Sequence, residues 1–260
     1  MSFSQQLVAN MPSFVLAAIM VAIAVIISVG GMLFVHRFIP HHRLKAHNDI
    51  TGPIFSTLGV IYAVMLAFMV VIIWQKFDRA GVNVDMEANC IVNLYVDAEP
   101  FEESFRQDIR GRIVEYTKAI VDEWDAMGRG DANLAGGKLI EGLAIAYSAY
   151  SPKNETDKIF FKESVHKMNE LFSLRIFRLV DARRGLHPLL WFVLIIGGVI
   201  TIIFTIFFGT ESLRAKILMS TLLAILIVLV LFTILEFSFP FTGKASISSE
   251  AFEVLLKHLR

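Results

Sequence analysis

The chain has 260 residues, 55% of them hydrophobic, a mean hydropathy of +0.62, and 24 basic residues balanced by 24 acidic ones. Every one of those charges lies outside four stretches, residues 1–36, 50–75, 185–210 and 217–235, a segregation that excludes a soluble enzyme and a disordered chain. A single cysteine, Cys90, excludes an intrachain disulfide scaffold.

A backbone in lipid must satisfy its own hydrogen bonds, and about 20 helical residues cross a hydrocarbon core of about 30 Å. The uncharged stretches therefore predict four membrane-spanning helices, at residues 13–35, 50–74, 189–208 and 217–239. No basic region precedes the first, and its apolar run exceeds that of a signal peptide, so it is expected to stay in the mature protein. The turn between the first two spans holds His36, His41, His42 and His47 with Asp49. Their spacing is not that of a helical ligand pair and Pro40 interrupts it, so a solvated turn is expected and no metal is assigned.

On the second span Gly52, Ser56, Gly59 and Ala63 form a seam of small residues with Tyr62 beside it. Such a seam either packs helices closely or lines a pore. The helical period continues past Trp74 through Phe77, Gly81, Val84, Ala88, Ile91 and Tyr95, predicting one long helix that Pro100 ends. Asn83, Asn89 and Asn93 on this extension are surface residues or the lining of a vestibule.

Further helices are expected over 101–127, ended by Gly128 and Gly130, over 134–150, and over 155–184, the last leading into the third span. The fold class is all-α: a first transmembrane pair over 1–74, a helical domain over 75–188 continuous with spans two and three, a second pair over 189–239, and a C-terminal segment over 240–260. There Ser248 or Ser249 begins an amphipathic helix carrying Phe252, Leu255, Leu256 and Leu259. Glu236 is the acidic residue inside a span, close to its end, and an interfacial ion pair is expected for it, with proton or cation binding as the alternative.

Four spans place both termini and the 75–188 domain on one side. Arg37, Arg43, Lys45, Arg214 and Lys216 flank the short turns, against Lys76, Arg79, Arg175, Arg178, Arg183, Arg184 and Lys244 on the other side, a majority that favours a cytoplasmic domain. Arg37, Arg43 and Lys45 at one mouth, and Arg175, Arg178, Arg183 and Arg184 at the other, would concentrate anions if the chain forms a pore. As membrane anchors they would instead meet lipid phosphates. No nucleotide loop or nucleophile elbow occurs, so no catalytic role, cofactor or nucleic-acid partner is expected.

The run from Gly52-Pro53-Ile54-Phe55 through Tyr62-Ala63-Val64-Met65-Leu66-Ala67-Phe68 to Trp74, with Ala80 and Glu87-Ala88, resembles the bacterial bestrophin-like membrane proteins, a domain of unknown function. Glu123-Trp124, Met127-Gly128, Arg175, Arg178-Leu179, Pro188 to Trp191, Phe239-Pro240-Phe241 and Gly243 extend the resemblance over essentially the whole chain. It implies likeness to bestrophins, oligomeric ion channels, usually pentamers, with two spans, a cytosolic helical region and two more spans per subunit. Animal bestrophins carry an acidic calcium-binding cluster after the last span, whereas residues 241–249 here contain no Asp or Glu. The leading expectation is a homo-oligomeric, anion-preferring channel in the bacterial inner membrane. A membrane-anchored scaffold or sensor, and a proton- or sodium-coupled transporter, are the alternatives.

Overall fold

The computed structural model describes residues 2–38, 48–131, 135–207 and 212–259. These form α1 (Phe3–Asn10), α2 (Ser13–Phe38), α3 (Asn48–Asp97), α4 (Glu103–Gly128), α5 (Gly136–Ala149), α6 (Glu155–Arg183), α7 (Pro188–Phe207), α8 (Leu213–Phe237) and α9 (Glu250–His258). The fold is all-α, and among the described residues four helical stretches, Ser13–Phe38, Thr51–Asp97, Glu155–Phe207 and Leu213–Phe237, overlap the predicted spans and are long and apolar enough to cross a membrane. Arg43, Lys45, His41, His42 and His47 lie outside the described residues.

The chain divides into two compact units. The membrane unit comprises Asn10–Lys76 and Gly185–Ser238, and the helical unit comprises Met1–Ala9, Phe77–Arg184 and Phe239–Arg260. In the membrane unit α8 packs along α2 and α7. A core of Tyr62, Leu66, Met69 and Ile73 from α3 meets Leu194 of α7 and Ile227, Leu231 and Ile234 of α8. Most other large side chains of these helices face outward, as lipid-embedded surfaces do.

In the helical unit α4 packs on α5, α6 and α9. Its core joins Ile91 and Leu94 of α3, Ile113 and Ile120 of α4, Leu143 of α5, Leu171 of α6 and Phe252 of α9. The C-terminal helix thus covers its apolar face, Phe252, Leu255 and Leu259, within the helical unit of its own chain.

Helix ends follow the expected chemistry. Gly130 has a positive φ of 83°, and the amides of Gly130 and Asp131 donate to the carbonyls of Met127 and Ala126 at 2.8 and 3.0 Å. Only a residue that enters the left-handed region cheaply closes α4 in this way. The side chain of Asn154 accepts from the amide of Asp157 at 2.8 Å and starts α6.

Two expectations change. The core-facing row of α3 is Ala80, Val84, Glu87, Ile91, Leu94 and Ala98, all buried, whereas the expected row ran through Phe77, Gly81, Val84, Ala88, Ile91 and Tyr95. The two share Val84 and Ile91. A search for apolar periodicity steps around Glu87, although Glu87 lies in the middle of the true row. The second change is α1, a helix of eight residues too short to show a period in the sequence. Gln5 is 1% exposed, and its side-chain nitrogen donates to the carbonyls of Ala182 at 3.0 Å and Gly128 at 3.3 Å.

Gly128 also allows a close approach: a Cβ there would stand 2.3 Å from the carbonyl oxygen of Phe241. Gly128→Ala should therefore destabilise the protein by about 1–3 kcal/mol, read as a lower thermal midpoint of the purified protein. An unchanged midpoint would show that the segment after α8 yields easily.

Candidate functional site

The residues singled out by the sequence separate into two groups. On α3 in the membrane unit, Ser56, Val60, Ala63 and Ala67 recur at four- and three-residue intervals along one face, and all are exposed. Gly59 beside them is half-buried, and a Cβ added to it meets nothing within 4 Å. This face, small apart from Val60 and flanked by exposed Ile61, Val64 and Phe68, is uncovered within the chain. Tyr62 turns the other way. It is buried, donates its hydroxyl hydrogen to the carbonyl of Leu194 at 2.9 Å, and lies so close to α7 that Cβ atoms at Gly197 and Gly198 would stand 2.6 and 2.9 Å from it. Tyr62 is therefore a packing residue between α3 and α7.

Glu236 is 6% exposed. Ser13 donates a hydroxyl hydrogen to its Oε2 at 3.1 Å, and Oε1 is buried without a hydrogen-bond partner among the described residues. The expected interfacial ion pair does not form among those residues. Lys76, the nearest basic residue in sequence to this end of the spans, donates to the carbonyl of Ser238 at 3.0 Å instead.

In the helical unit the structure relocates the arginines. Arg178 is fully buried and binds Glu87 through two parallel bonds, Nε to Oε2 at 2.7 Å and Nη2 to Oε1 at 3.1 Å. Tyr116 donates to the same Oε1 at 3.1 Å. The guanidinium lies 5.3 Å from the Trp124 ring and 5.9 Å from the Phe252 ring. Burial pulls the Arg178 pKa down, but the charge and hydrogen bonds of Glu87 outweigh it and hold the group above its ordinary value. Burial, reinforced by Glu87, pushes the Tyr116 phenol up, so the hydroxyl stays a donor.

Arg175 is buried as well, pairs with Glu123 at 2.8 Å, and leaves the other Glu123 oxygen to cap α5 by accepting from the amide of Gly136 at 3.0 Å. Arg175 and Arg178 thus withdraw from the predicted basic mouth: buried and neutralised by carboxylates, they offer no free charge to solvent. Arg183 and Arg184 are exposed, Arg183 donating to the carbonyl of Asp131 at 3.0 Å, and Arg37 is exposed at the end of α2. Phe77 and Asn83 are half-buried, and Asn89 is exposed.

The two carboxylates were missed because their partners lie 91 and 52 residues away. The available signal was local: Glu87 sits between Val84 and Ile91 on an apolar face, and Arg175 and Arg178 follow Met168, Leu171 and Leu174 on another. A charge embedded in such a face calls for a buried partner.

A sequence model of the Bestrophin-like domain family matches residues 22–252. Comparison with curated proteins found no match. Among solved structures, a variant of a bacterial bestrophin homologue from Klebsiella pneumoniae superposes with a TM-score of 0.67 at 11% identity, over 94% of this chain and 98% of that one. Another structure of a bestrophin homologue from that organism gives a TM-score of 0.59 at 13% identity, over 95% and 96% of the two chains.

The buried pair generates a test. Arg178→Met should cost about 3–5 kcal/mol, because Glu87 would remain as an uncompensated buried charge, whereas Arg178→Met combined with Glu87→Leu should cost less than the single change. Denaturant unfolding of the purified variants measures both, and additive losses would show that the two residues do not act as a pair.

Proposed function

Because the chain belongs to the Bestrophin-like domain family, we propose that it assembles as a homo-oligomeric ion channel, a pentamer by the family resemblance, in the bacterial inner membrane. The exposed face of α3 lies toward the axis and the helical unit is cytoplasmic. The observation that supports this most is the uncovered row Ser56, Val60, Ala63 and Ala67 with Gly59. The rest of the outward surface carries large side chains, Ile61 and Phe68 on α3 itself, Phe192 and Ile195 on α7, and Leu218, Leu222 and Leu226 on α8. Large apolar chains suit lipid. Small ones suit close helix contact or an open lumen, and a symmetric ring of α3 helices uses both.

The channel prefers anions. The exposed α3 face of the span carries no carboxylate, Arg37 is exposed on the side where α3 begins, and the free amides of a helix start add positive potential there. Arg43 and Lys45 add to this by sequence alone. One observation favours a coupled transporter instead, the unpartnered Oε1 of buried Glu236, and the same measurements separate the two readings.

Purified protein in planar bilayers should carry current whose reversal potential follows the chloride gradient, and Ala63→Phe should reduce conductance. Arg37→Glu should weaken the anion preference, and Glu236→Gln should leave current and its pH dependence intact. A reversal potential following the cation would overturn the preference, and flux that Glu236→Gln abolishes would establish the transporter.

Orientation has its own test. Ser104 is exposed on α4, so Ser104→Cys should resist a membrane-impermeant thiol reagent in intact cells and react in inverted membranes. Native Cys90 interferes little: it is buried, and burial, aided by Glu170, pushes its thiol up to about 11. Rapid labelling of intact cells would invert the topology.

A further inference from the structure

The exposed face of α3 does not end with the membrane-spanning segment. α3 is one continuous helix from Asn48 to Asp97, and steps of three and four residues return to the same side of a helix with 3.6 residues per turn. Taken onward from Ser56, Val60, Ala63 and Ala67, those steps pass through Val71, Trp74, Asp78, Val82 and Asp85 to Asn89, and every one of these residues is exposed. Taken backward, they reach exposed Asp49 in the first turn. Beyond that turn the charged members of the row are Asp78 and Asp85, seven residues and so about 10 Å apart along the axis. Neither makes an ion pair among the described residues.

The basic residues of α3 do not share this row. Lys76 donates to the carbonyl of Ser238 at 3.0 Å, and Arg79 stands about 100° round the helix from Asp78. Arg183 and Arg184 are exposed at the end of α6, not on α3. At the opposite end of the spans the balance reverses: residues 36–49 and 208–216 carry Arg37, Arg43, Lys45, Arg214 and Lys216 against Asp49 and Glu211.

We infer that Asp78 and Asp85 form rings of negative charge in the pore on the side of the helical unit, facing a basic mouth at the other end, and that this polarity makes the current rectify. The inference rests on the reading that α3 faces the axis of a channel, and it holds whichever ion is preferred. Each copy of the subunit repeats both carboxylates around the axis. Cations gather at the acidic end and anions at the basic end. A field that drives cations away from the helical unit drives anions toward it from the basic mouth, so each ion enters where it is concentrated and the current is large. Under the reverse field each ion enters through the mouth that depletes it, and the current is small. Rectification is thus a separate property from ion preference, which the reversal potential reads.

Single channels of the purified protein in planar bilayers, with the same potassium chloride solution on both sides, test it. At about 0.01 M salt, where the Debye length is about 30 Å, current leaving the side of the helical unit should exceed the reverse current about threefold at equal and opposite voltages, the factor given by a local potential of about one kT. At about 1 M, where the Debye length is about 3 Å, the current should be linear. Asp78→Asn combined with Asp85→Asn should give linear current in dilute salt, and both positions are exposed, so the fold should be kept. Asp85→Cys should weaken the rectification, and an anionic, membrane-impermeant thiol reagent should restore it; the side from which the reagent acts identifies the helical unit. Linear native current in dilute salt, or rectification unchanged in the double variant, overturns the inference and leaves the channel standing. A native protein that carries no current overturns the channel reading and this inference with it. If the double variant fails to assemble, restoration of the charge at Asp85→Cys decides the question by itself.

Discussion

The helical unit is organised around the bidentate contact of Arg178 with Glu87. Two opposite charges, one from α6 and one from α3, are sealed in a core that otherwise holds Ile91, Ile113, Leu143 and Phe252. Neither charge is tolerable there without the other, so α6 and α3 are held in the register that brings the two together. The surroundings of the pair follow from that demand. Tyr116 supplies a third donor to the carboxylate, Trp124 and Phe252 present ring faces to the guanidinium, and Trp124 is held in turn by donating to the carbonyl of Ile247 at 3.1 Å. The C-terminal helix is drawn into place through Phe252.

The membrane unit uses a different device. Among the described residues no charge pair organises its core, and a lipid environment gives apolar side chains little reason to associate. Close approach replaces it. Gly197 and Gly198 leave α7 with a flat surface, the Tyr62 ring occupies it, and the phenol finds its acceptor in the Leu194 carbonyl. The helix carrying Tyr62 inward carries Ser56, Ala63 and Ala67 outward, so one close contact leaves the small-residue face of α3 uncovered.

These two devices explain what was legible in the sequence. The spans were visible because lipid excludes charge over whole stretches, and helix ends were visible because Gly130, Pro100 and Asn154 act locally. The role of Tyr62 was not visible, because its partners Gly197 and Gly198 lie more than 130 residues away and a small-residue seam looks the same whether it faces a neighbour or a lumen. The arginines were misplaced for a related reason. Counting charge near a membrane treats every arginine as solvated, and only the position of Arg175 and Arg178 on the same face as Leu171 and Leu174 signals otherwise. Gln5 gave no signal at all: it is one of three side-chain amides, with Gln6 and Asn10, in a helix of eight residues too short to show a period.

The segment after α8 ties these observations together. Residues 241–249 contain no acid, yet the chain is firmly held there. Thr242 donates to the Gly128 carbonyl at 2.6 Å, Gly128 presses on the Phe241 carbonyl, and the Trp124 ring stands 5.6 Å from the Phe241 ring. Gln5 reaches the same Gly128 carbonyl. The N-terminal helix, the end of α4 and the chain beyond the fourth span therefore converge on one neutral cluster beside the Arg178–Glu87 pair. Neutral hydrogen bonds and a glycine contact set the position of this segment, so the strength of the clasp follows from packing and should respond little to salt. The charges in the core of the helical unit are buried as pairs, Arg178 with Glu87 and Arg175 with Glu123, whereas Arg37, Arg183, Arg184 and Arg214 stand exposed near the ends of the spans, where an ion would meet them first.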